Sequence, residues 1–200
     1  MPPTPLTPGF FLRKPDRVAR HLLGKLLIRQ PNNPSGEPAI GRIVEVEAYF
    51  GSNDPAAHAF AGKTARNAVL FGPPGHAYVY FIYGMHYCLN VSCEPEGHAG
   101  CVLIRALEPI AGLATMARRR NLAANAHPRL LASGPGRLCQ ALAITRAHNG
   151  LDLTEPSYPL TLADDGFPTQ PIDATPRIGI RHAADRPLRF TLRGNPFLSK

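Results

Sequence analysis

Two glutamates on one predicted strand could carry out acid–base chemistry. Residues 41–50 alternate between apolar and polar positions, so Glu45 and Glu47 leave the same face of a strand. Two residues along a strand span about 6.8 Å, which is close to the separation of the paired carboxyl groups in an inverting glycosidase. A solvated face of an edge strand explains the same two residues. The pattern alone therefore leaves an acid–base site and a solvated face both open.

The tyrosines are concentrated near these glutamates in the chain. Five of the six lie between positions 49 and 87: Tyr49, Tyr78, Tyr80, Tyr83 and Tyr87. Tyr49 shares its predicted strand face with Glu47, and Tyr78 shares a face with Tyr80. Tyrosine favours strands in any case, but aromatic faces beside a carboxylate on a basic protein also form a slot for a flat base. Tyr83 falls at a predicted turn tip, where its side chain could act as a wedge.

Metal and cofactor chemistry lacks its usual motifs. His58 lies in a predicted loop without a second histidine at metal-ligand spacing. The four cysteines match neither zinc nor iron–sulfur spacing and are predicted to be reduced core thiols: Cys88, Cys93, Cys101 and Cys139. There is no Walker A motif, no dinucleotide fingerprint and no G-x-S-x-G. We therefore expect no metal and no cofactor, and reduced thiols indicate a cytoplasmic protein.

The charge of the chain indicates a polyanionic partner. The 200 residues carry 22 Lys and Arg against 14 Asp and Glu, a formal net charge of +8. Residues 101–150 hold seven arginines and one acidic residue, Glu108. This balance favours nucleic acid or an anionic surface as the partner, although many small basic proteins have a basic surface that binds nothing. No run of 18 apolar residues predicts a membrane span, and no secretory signal is evident, so we expect no membrane partner.

These candidate residues need a sheet to hold them. The sequence predicts a mixed α and β domain with a largely antiparallel sheet and no domain linker. An extended, proline-rich arm is expected over residues 1–15 and a single domain over residues 16–200. Within that domain we predict strands over 26–30, 41–50, 101–107 and 187–193, and a hairpin over 76–93 that turns at Tyr83 and Gly84. We predict two helices capped by Asp16 and Ser133, and a third from Leu113 into the arginines at 118–120. A long loop is expected over 51–75 and irregular structure over 150–175.

Several uncommon strings follow one another along the chain. They are GRIVEVEAYFGSNDPAAHA at 41–59, ARN at 65–67, YVYFIYGMHYCLNVS at 78–92, GCVLIRALEPIAGLATM at 100–116, SGPGRLCQALAI at 133–144, RIGI at 177–180 and PLRFTLRGNPFLS at 187–199. With these strings the chain resembles the alkyladenine DNA glycosylases, also called 3-methyladenine or methylpurine DNA glycosylases, over nearly its whole length from about residue 20. The resemblance implies an α+β domain with a curved, largely antiparallel sheet flanked by helices and long loops.

The resemblance also implies a monofunctional repair enzyme that acts on DNA. Such an enzyme flips 3-methyladenine, 7-methylguanine, hypoxanthine or ethenoadenine out of duplex DNA and hydrolyses the N-glycosidic bond, leaving an abasic site. The glutamate of the EAY motif, here Glu47, would activate the water, and Arg105 would help to hold it. The residues expected to line the base pocket are Tyr49, His58, Tyr80 and Asn90.

Four further residues are expected at the DNA surface. Tyr83 matches the residue that is inserted into the helix where the base has left, and Arg66 and Arg137 match positions near the DNA backbone. His86 stands beside the wedge, where the family pattern has tyrosine, so this part of the surface differs. The four lysines of the chain lie outside the matching motifs, so we expect hydrolysis rather than lyase chemistry through an amine nucleophile.

Two other functions stay open at this point. A non-catalytic nucleic-acid-binding module could use the same fold and the same basic charge, and it would bind duplex DNA without releasing a base. A hydrolase that acts on carbohydrates through Glu45 and Glu47 would bind neutral sugars, which the charge of +8 does not favour. We expect the glycosylase to work as a monomer in the cytoplasm, on double-stranded DNA that contains damaged purines.

Overall fold

Nine strands form one antiparallel sheet in a computed structural model that describes residues 2–31, 33 and 35–199. Within these residues the strands are β1 (Thr4–Pro5), β2 (Leu26–Arg29), β3 (Ala39–Phe50), β4 (Ala77–Ile82), β5 (His86–Ser92), β6 (Gly100–Ala111), β7 (Leu160–Asp164), β8 (Ile172–Thr175) and β9 (Arg189–Leu192). Their order is β1-β7-β2-β3-β6-β5-β4, and β9 pairs with β3 and β8. The strands predicted near β2, β3, β6 and β9 are confirmed. The 12-residue strands β3 and β6 lie at the centre.

Short helices accompany this sheet. In the described residues they are α1 (Pro8–Phe11), α2 (Pro15–Leu22), α3 (Leu113–Arg119), α4 (Arg129–Ala132) and α5 (Pro135–Ala141), with 3-10 turns at Ala68–Phe71 and Arg146–His148. The predicted α+β class is confirmed, because a curled, antiparallel half-barrel sheet and these helices make up a single domain. Across the described part of the chain, no helix has the length and apolar character needed to cross a membrane.

Alternation along β3 places its side chains in two different environments. Val44, Val46 and Ala48 are fully buried in the hydrophobic core, where α2 packs through Val18 and Leu22. β-Branched residues suit such a pleated, half-covered surface, and each buried Val or Leu contributes roughly 1.5–3 kcal/mol to folding. The opposite face of β3 carries the polar side chains of Glu45 and Glu47. Because the core holds one face of the strand in place, it also fixes the direction in which these polar side chains point.

The hairpin predicted over residues 76–93 is confirmed, with β4 and β5 as its strands. The last pair before its tip joins Ile82 to His86. Tyr83 and Gly84 follow in left-handed backbone conformations, with φ of 55° and 68°. Glycine adopts this conformation freely, whereas a tyrosine does so rarely. The tip therefore holds a large aromatic side chain in solvent, where Tyr83 is 76% exposed.

The amino-terminal segment differs from the predicted extended arm. β1 pairs with β7, α1 follows it, and Leu6 and Phe11 are buried. Apolar side chains explain this difference, because their burial favours a packed segment over a solvated one. α2 begins at Pro15 with Lys14 as its N-cap, and Asp16 lies in the first turn rather than capping the helix. Proline suits this first position because it has no N–H to leave unbonded. The terminal residues of the predicted arm and domain, Met1 and Lys200, lie outside the described residues.

Two later segments also differ from their predictions. α5 begins at Pro135 with Gly134 as its N-cap, so Ser133 does not cap it. Ser133 instead pairs with Ala106 in an isolated β-bridge. Residues 150–175, expected to be irregular because of their prolines, contain β7 and β8. The prolines lie outside these strands, and the leucines of β7 are buried in the core. The helix predicted from Leu113 is confirmed as α3.

Candidate active site

A cavity of about 380 Å³ opens on the polar face of β3 and β6. It is lined by eight of the ten predicted site residues: Glu47, Tyr49, His58, Tyr80, Tyr83, His86, Asn90 and Arg105. These residues come from β3, β4, β5, β6, the hairpin tip and the loop after β3, so the sheet brings together positions that are far apart in the chain. Arg66 and Arg137 are not among its lining residues. The chemical roles of all ten stay predictions.

Glu47 is fully buried at the inner end of this cavity. Its Oε1 accepts hydrogen bonds from the backbone N–H of Ile178 (2.8 Å) and lies 3.2 Å from Nη1 of Arg105. Its Oε2 accepts a hydrogen bond from the hydroxyl of Tyr49 (2.8 Å). A carboxylate oxygen has two acceptor positions, so Oε2 retains one for a water molecule. The carboxylate is thus held in one orientation by two hydrogen bonds and one ion pair, and it can still accept from a nucleophile.

Tyr49 is a neutral donor in this arrangement. Burial raises the pKa of its hydroxyl, and the negative charge of Glu47 and the hydrogen bond to it raise that pKa further. The guanidinium of Arg177 lies over the Tyr49 ring, 4.5 Å from the ring centroid. Tyr49 therefore keeps its proton and directs it at Glu47, with its ring held from the other side by a cation.

A buried ion pair anchors the segment that supplies the Ile178 amide. Arg177 donates to Asp54 through Nη1 (2.5 Å) and Nη2 (2.8 Å), and both side chains are fully buried. Nη1 also donates to the carbonyl of Ala48 on β3 (3.0 Å). Burial alone would raise the pKa of Asp54, but its hydrogen bonds and the charge of Arg177 lower it, so the pair is ionised. Sequence analysis gave neither residue a role; the RIGI string at 177–180 was the available signal.

Aromatic side chains form one wall of the cavity. The His58 Nδ1 lies 2.9 Å from the hydroxyl of Tyr78, and the His58 ring meets the Tyr80 ring edge-on at 4.6 Å between centroids. Burial lowers the pKa of His58, and the nearby charge of Arg66 lowers it further, so the imidazole is neutral at pH 7. Burial also raises the pKa of the Tyr80 hydroxyl. The wall is thus uncharged, aromatic and suited to a flat heterocycle.

Asn90 lies at the floor of the cavity and is 3% exposed. Its Nδ2 donates to the backbone carbonyl of Tyr78 (3.1 Å), and the thiol of Cys101 lies 3.8 Å from its Oδ1. Burial raises the pKa of Cys101 to about 12, so this group is a thiol. All four cysteines are free and buried, and Cys93 and Cys139 lie in the hydrophobic core as predicted. Cys88 and Cys101 line the cavity instead. The floor therefore offers a fixed amide to a ligand.

The residues predicted to meet DNA lie either in the lining of the cavity or close to residues that line it. The guanidinium of Arg66 lies 5.8 Å from the centroid of the Tyr80 ring, and the side chain is exposed. Arg137 is exposed on α5, the helix whose first two residues line the cavity. His86 packs closely on that helix, because a Cβ at Gly136 would lie 2.9 Å from its ring. Arg66 therefore lies beside the aromatic wall, and Arg137 lies on the helix against which His86 packs.

Glu45 is fully buried as well, so the interpretation of both glutamates as a solvated edge face is wrong. Its carboxylate accepts hydrogen bonds from Nε of Arg105 (2.9 Å) and Nε of Arg189 (2.8 Å), and two more from Ser199. Burial tends to raise the pKa of Glu45, but the bonds to Arg189 and Ser199 lower it overall. Glu45 does not line the cavity, which argues against the pair of acids that a carbohydrate hydrolase needs.

Metal ligands do not gather anywhere in the part of the chain that the structure describes. No group of three or more His, Cys, Asp or Glu side chains there could hold an ion together. That base release does not require a metal ion stays a prediction.

Comparison with known proteins gives one consistent result. Residues 9–196 match the methylpurine-DNA glycosylase family. A protein of Koribacter versatilis is 57% identical over 196 residues, covering 98% of this chain and 93% of its own length. Proteins of Rhodopseudomonas palustris strain CGA009 (52% identical, 98% of this chain and 88% of its own length) and Methanocella arvoryzae (49% identical, 98% and 96%) are also similar. All three are named, provisionally, 3-methyladenine DNA glycosylases. The chain belongs to the methylpurine-DNA glycosylase family.

Proposed function

We propose that this protein is a monofunctional DNA glycosylase that removes damaged purines from duplex DNA by hydrolysis. The observation that carries the proposal is the position of Glu47, a fully buried carboxylate with one open acceptor position at the inner end of an aromatic cavity. A cavity of about 380 Å³ falls within the range of small-molecule sites. Its size and its flat walls suit a single purine that has been turned out of the helix.

The reaction needs one base and one nucleophile. A water molecule on Oε2 of Glu47 gives up a proton to the carboxylate as its oxygen bonds to C1′ of the deoxyribose. The bond between C1′ and the purine nitrogen breaks, and its electron pair leaves with the purine. The Nη1 of Arg105 lies 3.2 Å from Glu47. Its positive charge therefore lies beside the carboxylate and keeps the carboxylate in place during the reaction.

The leaving purine determines how much further help is required. A purine that alkylation has made cationic departs as a neutral base, so Glu47 and the aromatic wall suffice. A neutral lesion such as hypoxanthine needs a proton as it leaves. The pKa of His58 is lowered by burial and by Arg66, so at pH 7 its ring is a poor proton donor. We therefore expect cationic lesions, 3-methyladenine and 7-methylguanine, to be released faster than hypoxanthine or ethenoadenine.

The positions of the described lysines support hydrolysis rather than lyase chemistry. Lyase activity needs an amine nucleophile close to C1′. None of the three lysines within the described residues lines the cavity: Lys14, Lys25 and Lys63. Lys25 is paired with Asp164 at 2.6 Å. The expected product is an intact strand with an abasic site.

The experiment that tests the proposal is a panel of duplexes, each with one defined lesion. Released bases are identified by mass under single-turnover conditions, and strand cleavage is scored before and after alkali. The expected result is release of free methylpurine and cleavage only after alkali. Mobility shift without release of any base would instead support the non-catalytic nucleic-acid-binding module.

A further inference from the structure

Glu45 contacts the guanidinium of Arg105 at the back of the active site. The Nε of Arg105 donates to Glu45 (2.9 Å), its Nη1 lies 3.2 Å from Glu47, and its Nη2 donates to the hydroxyl of Ser199 (3.3 Å). Every nitrogen of this guanidinium is therefore assigned to a different partner. Only the contact with Glu47 belongs to the cavity, so the other two fix the direction from which Arg105 reaches it.

Ser199 supplies the closest contacts to Glu45. Its backbone N–H donates to Oε2 (2.6 Å), and its hydroxyl donates to Oε1 (2.7 Å). Phe197 and Leu198, the two residues before it, are partly buried against the hydrophobic core. The segment after β9 is thus held by apolar contacts and ends on the carboxylate that orients Arg105.

The strand register shifts at this position. β3 and β6 pair in regular register over residues 41–43 and 46–50 of β3, but the pairing slips immediately before and immediately after Glu45. Such irregularities re-aim side chains and occur often beside active sites. Here they accompany the two residues, Glu45 and Arg105, that connect the centre of the sheet with the end of the chain.

The charge of Glu45 also holds two arginines in place. Two buried carboxylates, Glu45 and Glu47, face Arg105, and Glu45 also pairs with Arg189. Loss of the Glu45 charge would leave Arg189 without the carboxylate that it contacts and Arg105 with Glu47 as its acidic partner. The guanidinium of Arg105 would then be free to shift its position beside Glu47.

We propose that Glu45 is a positioning residue for Arg105, and that Ser199, near the end of the chain, completes the active site by holding Glu45. The inference deepens the proposed function and rests on it. Neither residue lines the cavity, so neither touches a bound purine. Their loss should slow the chemical step while lesion binding is unchanged.

The test measures single-turnover base release and lesion binding for four variants. Glu45→Gln keeps the shape of the side chain and should slow release about 10- to 100-fold, with lesion affinity within threefold of wild type. Ser199→Ala should slow release about 3- to 10-fold, and Ser199→Thr, which keeps the hydroxyl, should stay within twofold. Ser157→Ala, at an exposed serine in a turn, is the matched control.

The outcomes separate this inference from the proposed function. If Glu45→Gln does not fold, as judged by circular dichroism, the serine variants decide alone. A wild-type rate of release in Ser199→Ala would overturn the inference, and so would a loss of rate matched by an equal loss of lesion affinity. If the wild-type protein releases no base from any lesion in the panel, the proposed function is wrong and this inference falls with it.

Discussion

The inner end of the cavity and its rim hold their side chains in opposite ways. Inside, Glu47 is fully buried and is held by two hydrogen bonds and an ion pair, and Arg105 and Arg177 are fixed by carboxylates. At the rim, Tyr83 is 76% exposed and Met85 is 67% exposed, at the tip of a hairpin. Groups that act on a reacting bond work best when they are oriented before the substrate arrives. Groups that meet DNA can gain their contacts from the DNA, so the inner site should control rate and the rim should control recognition.

Replacement of Glu47, the proposed general base, should separate the two regions most strongly. Glu47→Gln should lower single-turnover base release by about 10²- to 10⁴-fold, because the general base is lost while the shape of the side chain is kept. Affinity for a lesion duplex should change little, since the rim is untouched. Glu96→Gln, at an exposed glutamate, is the control and should behave as wild type. Release within about twofold of wild type in Glu47→Gln would exclude Glu47 as the base.

Loss of one partner from the buried ion pair should lower the free energy of unfolding. Asp54→Asn leaves Arg177 buried and unpaired, which typically costs about 3–5 kcal/mol. Urea denaturation should show this loss in the free energy of unfolding, whereas Asp173→Asn, which breaks an exposed pair with Arg193, should cost less than about 1 kcal/mol. Similar costs for the two variants would show that the inner pair is no more important than a surface one.

The same ion pair makes the stability of the folded protein depend on pH, and the direction of this dependence can be stated. Asp54 has a lower pKa in the folded protein than in the unfolded chain. Its stabilising contribution is therefore complete above its ordinary pKa and is lost as the pH falls through the lowered value. The difference in stability between wild type and Asp54→Asn should accordingly shrink at acidic pH.

Removal of the exposed tyrosine should affect the rim alone. Tyr83→Ser should weaken binding to a lesion or abasic duplex by about 10- to 100-fold, since stacking of an aromatic side chain on bases contributes roughly 1–3 kcal/mol. Binding to undamaged duplex, its salt dependence and the melting temperature should be unchanged. Tyr158→Ser, at another exposed tyrosine, is the matched control. Equal losses on damaged and undamaged DNA, with a lower melting temperature, would place Tyr83 in the fold instead of the DNA interface.

Acidification should produce a smaller change that depends on the lesion. The pKa of His58 is lowered from 6.5, so a positive imidazolium forms only as the pH falls below that value. A like charge beside a cationic purine costs roughly 1 kcal/mol in a solvated site, about fivefold in affinity. Affinity for 7-methylguanine should therefore fall at acidic pH in the Glu47→Gln background, which prevents turnover, while affinity for hypoxanthine should not. His58→Gln should abolish the difference between the lesions, and His127→Gln should leave it in place.

Sequence analysis predicted the structural features that depend on the local sequence pattern. Alternation placed Glu47 and Tyr49 on one face of β3, and the turn residues located Tyr83 at the hairpin tip. It could not predict the burial of Glu45, because the partners that make burial tolerable, Arg189 and Ser199, lie 144 and 154 residues away. The role of Arg177 was missed for the same reason, since its partner Asp54 lies 123 residues earlier.

Local pattern also gave wrong details where tertiary contacts decide. Asp16 and Ser133 are favourable capping residues by type, but α2 and α5 begin at Pro15 and Pro135. Prolines made residues 150–175 resemble a loop, whereas β7 forms there because its leucines fill the core beside β2. The type of a side chain limits the structural roles that a residue can take. Contacts with residues that are distant in the chain then determine which of these roles it has.

The β4–β5 hairpin joins the rim to the floor through one continuous strand. His86 at the tip and Asn90 in the cavity are four residues apart on β5, which corresponds to about 13 Å. An extended strand is stiff over this length, so the strand sets the distance between the hairpin tip and Asn90. One residue inserted between these positions would increase that distance and also turn every later side chain to the opposite face. Under the proposed function, the number of residues in this one strand would therefore set how far a nucleotide has to reach from the DNA helix into the pocket.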